Sequence, residues 1–155
     1  MSSNSSRSLD RIIRTLRSLM RTSGLPRPDR VVISARSGSV QVEFSAGTAP
    51  DRLAALLLWV VCLDGVTLTW NLRTDRVLTV AATARNRAGL EFGLTASVGL
   101  AELGVVVAGQ SAVKVGPFRL VPSVVEPVTF EEVSRLVHLG RAVARRQGVG
   151  HVEAA

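Results

Sequence analysis

The chain has no tyrosine, four phenylalanines, two tryptophans, one cysteine, two histidines and, among nineteen basic residues, a single lysine. Each shortage closes off a class of function. With aromatics at 4% of residues, the stacking platforms on which single-stranded nucleic acids are usually held are poorly supplied, and the core must be aliphatic. One cysteine cannot close an internal disulfide. Cys62 lies in an apolar run, where it is expected to act as a small buried hydrophobe, and a reducing cytoplasm fits that usage. A metal centre needs several His, Cys or acidic ligands converging; His138 has only Glu131 two turns away and His151 lies near the C-terminus, so no metal or other cofactor is expected. The longest apolar run, Leu53–Leu63, has eleven residues against the roughly 20 that span a bilayer. Met1–Ser8 is serine-rich and lacks the apolar stretch of a signal peptide, so the expectation is a cytoplasmic chain with no membrane span.

Acids are also scarce, and unevenly so. Net charge is +7, and residues 1–30 hold seven arginines against Asp10 and Asp29, so five of the seven excess charges sit in the first fifth of the chain. Localised basicity of this kind suggests a helix or arm that meets phosphate, lipid headgroups or an acidic protein. The preference for Arg over Lys suits bidentate binding of carboxylate and phosphate, although a GC-rich coding genome produces the same bias.

What is present reads as one α+β domain over residues 9–148, with tails at 1–8 and 149–155. Arg7, Arg11, Arg14, Arg17 and Arg21 recur every three or four residues beside Leu9, Ile12, Ile13, Leu16, Leu19 and Met20, which share that spacing. This predicts an amphipathic helix over 9–24, capped by Ser8 and ended by Gly24, Pro26 and Pro28, with an aliphatic side and a basic side. From Val31 the period changes to two, and a hairpin is expected in which Ala35 faces Val40, Ile33 faces Val42 and Val31 faces Phe44. Thr48-Ala49-Pro50-Asp51 opens a second helix over 49–64, apolar nearly all round, which must be covered on most sides and is placed centrally against the sheet.

The even positions 66–72, 78–84 and 90–98 are all apolar, the pattern of a three-stranded antiparallel meander with turns at Thr74-Asp75-Arg76 and Asn86-Arg87-Ala88. Its odd face carries Thr67, Thr69, Thr79, Thr83 and Thr95 with almost no charge. Between 100 and 122 the pattern weakens, with short strands expected at Val105–Val107, Ala112–Val115 and Phe118–Val121. The box Thr129-Phe130-Glu131-Glu132 opens a last amphipathic helix over 129–147, closed by Gly148. The fold class is therefore α+β: an antiparallel sheet over 31–122, made of hairpin plus meander, packed by a central apolar helix and flanked by N- and C-terminal amphipathic helices.

No catalytic constellation emerges and no small-molecule substrate suggests itself. Gly109-Gln110-Ser111-Ala112-Val113 resembles a nucleophile turn but lacks the final glycine that the tight turn requires. Gly148-Val149-Gly150 has no preceding strand and no third glycine, and so is no phosphate cradle. Two functional readings remain. In the first, a non-enzymatic binding or regulatory protein uses Arg7, Arg11, Arg14, Arg17 and Arg21 to contact nucleic acid or another polyanion, an acidic protein included. Against it stands the plainer account that the arginines simply face water. A membrane-surface helix is disfavoured because the apolar side has no Trp or Phe. In the second reading, the face bearing Thr67, Thr69, Thr79, Thr83 and Thr95 is a protein–protein interface, self-association into a homo-oligomer included. Arg36, Arg73, Arg76, Arg85 and Arg87 fall in or beside turns, and consecutive meander turns lie at opposite ends, so only one of the pairs 73/76 and 85/87 can join the basic helix.

Overall fold

A computed structural model describes residues 2–105 and 112–153. The elements run α1 (Ser2–Ser23), β1 (Arg30–Ser34), β2 (Ser39–Phe44), α2 (Ala49–Val61), β3 (Asp64–Leu72), β4 (Val77–Arg85), β5 (Glu91–Gly99), a short 3-10 turn (Leu100–Leu103), β6 (Val113–Val115), β7 (Phe118–Leu120), β8 (Val125–Val128) and α3 (Phe130–Glu153). The fold is α+β, with a six-stranded sheet in the order β1-β2-β5-β4-β3-β8 and a separate β6-β7 hairpin.

The meander forms as its pattern demands. Leu72 pairs with Leu78, Leu68 with Ala82, Leu78 with Val98 and Ala84 with Phe92, so even positions stay on one face across three strands. Every even position from Leu68 to Leu72, Leu78 to Ala84 and Leu90 to Val98 is buried, and Val66 is half-buried. No odd position in these strands is buried. The period of two thus decides which side of the sheet receives the helices.

The sheet is not antiparallel throughout. β2 lies parallel to β5, with Ser39 opposite Glu91 and Phe44 opposite Ala96. The cause is connectivity: α2 carries the chain from β2 to β3 across the sheet, and the meander then folds back until β5 fills the place beside β2. Within the hairpin Ile33 faces Val40 and Val31 faces Val42, two residues from the expected register. A slip of two leaves each side chain on its own face, so the apolar pattern is blind to it. The turn Ala35–Gly38 sets the register, with Gly38 at φ +63.

α2 starts where expected: the Thr48 hydroxyl accepts from the Asp51 amide at 3.4 Å. It packs on β5 and α3 through Leu53, Leu56 and Trp59, all fully buried. Trp59 meets Phe44 edge-on at 6.0 Å and Phe92 at 6.4 Å, and its indole N–H donates to the Pro26 carbonyl at 2.9 Å. Coverage is less complete than an all-round apolar helix suggests. Leu58 and Val61 are 55% and 69% exposed, and Cys62 is exposed rather than buried. At 100° per residue these three share the arc turned away from the sheet, and the helix ends at Val61, leaving Cys62 as its C-cap. α3 approaches α2 closely because Gly140 has no side chain: a Cβ there would stand 3.2 Å from Pro50 Cδ. The Thr129–Glu132 capping box is present in both directions, at 3.1 and 3.2 Å.

Both terminal helices are longer than expected. α1 begins at Ser2, because Ser8 does not cap it; the Ser8 hydroxyl donates to the Ala35 carbonyl at 3.4 Å instead. Serine costs at most about 0.7 kcal/mol per helical residue, too little to stop the helix there. α3 continues past Gly148 to Glu153, since Gly148 keeps a helical backbone. In the weakly patterned region, Val113–Val115 and Phe118–Leu120 form the β6-β7 hairpin and Val105 belongs to no strand. Residues 106–111, which hold the rest of the expected Val105–Val107 strand and most of the Gly109–Val113 motif, lie outside the described residues. β8 extends the sheet beyond the expected 31–122; Pro127 stands opposite Thr69, which an edge strand tolerates.

Asp29 clips the start of β1 to the loop leading into α2. Its carboxylate accepts the Ser45 and Ala46 amides at 2.6 and 2.8 Å. These bonds, Ala46 first, favour the charged form and hold the Asp29 carboxyl below its ordinary 3.8. A folded value below the unfolded one gives a contribution that is complete above about pH 4 and disappears as pH falls through the folded value. Asp29→Ala is expected to lower the thermal midpoint at neutral pH, with the difference from wild type shrinking below about pH 4. A difference that stays constant into strong acid contradicts this role.

Candidate functional site

α1 is held by few contacts, all on one side. Ile12 and Leu16, one turn apart, are 6% and 8% exposed; Leu19 and Met20 pack beside them, and Leu9 is 37% exposed. With those residues turned inward, 100° per residue carries the arginines outward. Arg7, Arg11, Arg14, Arg17 and Arg21 are all exposed, and among the described residues none is in an ion pair. Asp10, the one acid on that side, makes none either. The ion pairs among the described residues involve other arginines: Arg52 with Glu102, Arg73 with Asp75 at 3.8 Å and Arg85 with Glu91 at 3.2 Å.

The helix crosses one end of the sheet. Because β2 and β5 run in the same direction, the β1–β2 turn and the β4–β5 turn come out side by side, joined by the Glu91 amide donating to the Gly38 carbonyl at 3.2 Å. α1 lies against both. Ser8, Arg11 and Thr15 face Gly38, Ala88 and Gly89 across one groove. A larger one, of about 840 Å³, runs between Arg14, Ser18 and Thr22 on α1 and Cys62, Asp64 and Arg87 beyond it. Of the turn arginines, then, the 85/87 pair shares the end of α1, with Arg85 already paired to Glu91 and Arg87 unpaired. Arg36, in the neighbouring turn, is also exposed and unpaired.

The odd sheet face reaches this end at Thr83, Arg85 and Glu91. Thr67 and Thr83 are exposed and pair across β3 and β4; Thr69, Thr79 and Thr95 are half-buried, and Thr79 shares a 3.1 Å hydroxyl contact with Ser97. These threonines do lie together, and Thr83 lines a groove with Arg85, but none of them lines a groove with an α1 arginine. His138 is exposed on α3, and among the described residues no group of three His, Cys, Asp or Glu side chains could hold a metal ion. Among the same residues, no helix is long and apolar enough to cross a membrane.

Residue spacing revealed the five arginines of α1 but not that Arg87 lines a groove with Arg14. The missing piece was strand direction, which sequence parity does not carry. No protein-family model, curated protein or solved structure matches the chain.

Docking through the aliphatic side has a measurable consequence. Leu16→Ala is expected to cost about 2–4 kcal/mol in urea unfolding, as a buried leucine does, while Arg17→Ala stays within about 0.5 kcal/mol of wild type. Equal values for the two substitutions would mean that α1 is not held through this side.

Proposed function

We propose that the protein is a non-enzymatic binding or regulatory protein whose α1 arginines contact nucleic acid or another polyanion. The supporting observation is that Arg7, Arg11, Arg14, Arg17 and Arg21 are exposed along one side of a helix held by its other side, with no carboxylate paired to any of them. Unpaired guanidinium groups keep their fork of donors free for phosphate oxygens. Each phosphate they neutralise releases condensed counterions, so affinity comes without base recognition and depends steeply on salt. The proposed setting is the cytoplasm, where an exposed unpaired thiol such as Cys62 stays reduced.

An electrophoretic shift titrated with salt tests this. With four or five phosphate contacts, affinity for duplex DNA is expected to fall by about two to three orders of magnitude between 50 and 200 mM salt. The variant carrying Arg11→Glu, Arg14→Glu, Arg17→Glu and Arg21→Glu is expected to lose the shift. Equal behaviour of variant and wild type would remove the proposal.

The odd face, whose only charged positions in β3, β4 and β5 are Arg85 and Glu91, supports a second reading, an assembly or interaction module, because none of its positions in those strands is buried. Light scattering after size exclusion separates the two. Self-association abolished by Thr69→Arg or Thr79→Arg favours the interface; a monomer at high concentration, unaltered by either substitution, counts against self-association.

A further inference from the structure

We infer that the phosphate-contacting surface extends beyond α1 onto the two neighbouring turns, through Arg36 and Arg87, and that its ligand is a nucleic-acid duplex. This rests on the polyanion reading above and deepens it.

Three observations carry the inference. The first is placement. Arg14 and Arg87 line opposite banks of the groove of about 840 Å³, while Gly38, two residues from Arg36, lines the adjoining groove with Arg11. The second is the charge balance of that end. Arg36 and Arg87 have no ion pair among the described residues; Glu91 is already paired to Arg85, and Asp64 is the only acid lining the larger groove. The α1 hydroxyls of Ser18 and Thr22 face the same groove and can donate to phosphate oxygens. The third is the lack of any aromatic side chain lining either groove. Trp59, Trp70, Phe44 and Phe92 are all buried in the core. Single strands are normally held by bases stacked on aromatic rings, and nothing here offers that; a backbone-only surface suits a duplex, whose bases are already stacked on one another.

From Arg7 to Arg21 the α1 arginines cover fourteen helical rises, about 21 Å at 1.5 Å per residue. Arg87 lies across the larger groove from that line, and the turn that holds Arg36 borders the adjoining groove through Gly38. A duplex presents two phosphate rows on either side of a major groove about 12 Å wide, whereas a single strand presents one row. Cations on both banks of a groove can reach both phosphate rows, which a single line of arginines does not do.

The test is fluorescence anisotropy with a labelled 20-base-pair duplex and with one of its strands alone, titrated in salt. It compares wild type, the double variant Arg36→Ala with Arg87→Ala, and the fourfold α1 glutamate variant. Both double-variant positions are exposed, and circular dichroism confirms that the fold is kept. Wild type is expected to bind duplex at least tenfold more tightly than single strand. The double variant is expected to lower the duplex salt slope by about 2, in line with two lost phosphate contacts, and to weaken duplex binding roughly tenfold near physiological salt. An unchanged slope in the double variant, with the α1 variant inactive, overturns the role of the turns and leaves the α1 reading standing. Single-strand binding as tight as duplex binding overturns the choice of ligand. If the α1 variant binds like wild type, both this inference and the reading beneath it fail.

Discussion

The parallel pairing of β2 with β5 is the constraint on which the basic end of the molecule depends. Strand direction decides where turns emerge. With β2 and β5 running the same way, the turns that precede them stand together, and α1 has a continuous ledge to cross. Had the hairpin met the meander in antiparallel fashion, the β1–β2 turn would have emerged at the other end of the sheet, taking Arg36 with it. The same faces would have been buried, because both pairings preserve the alternation of side chains.

On that ledge, α1 persists through tertiary contact rather than through its own propensity. Serines fill its first turns, and arginines at spacings of four, Arg7 with Arg11 and Arg17 with Arg21, repel each other by a few tenths of a kcal/mol per pair. Burying Ile12 and Leu16 offsets that repulsion. A helix under mutual repulsion, with Asp10 the one carboxylate on its basic side, is left with electrostatic energy that an anion recovers on binding. Structure and proposed function therefore meet in one arrangement: aliphatic residues fix the helix, and this fixation keeps the charges together.

Much of this was legible in the residues themselves. The even-position pattern from Val66 to Val98 gave the buried face of three strands, Thr48 and Thr129 marked two helix starts, and the arginine spacing identified the exposed side of α1. What escaped has a physical reason in each case. Hairpin register and the direction of the β2–β5 seam escaped because both alternatives keep the same parity. The start of α1 escaped because Ser8 has a tertiary partner, the Ala35 carbonyl, that outcompetes capping. Cys62 reads as a core residue because an apolar neighbourhood in sequence says nothing about which arc of a helix is left open. β8 lies beyond the expected 31–122 sheet, and its Pro127 is tolerated because β8 is an edge strand.

The shared position of the two turns is the claim that decides the account, and a distance between them measures it. Spin labels at Ser37→Cys and Ala88→Cys, in a Cys62→Ser background, report that distance by pulsed electron resonance. A parallel seam predicts a distribution centred at or below about 20 Å, the turns being neighbours at one sheet edge. A separation of about 30 Å or more, as strands of this length would impose on turns at opposite ends, would contradict the seam and dissolve the basic surface built on it.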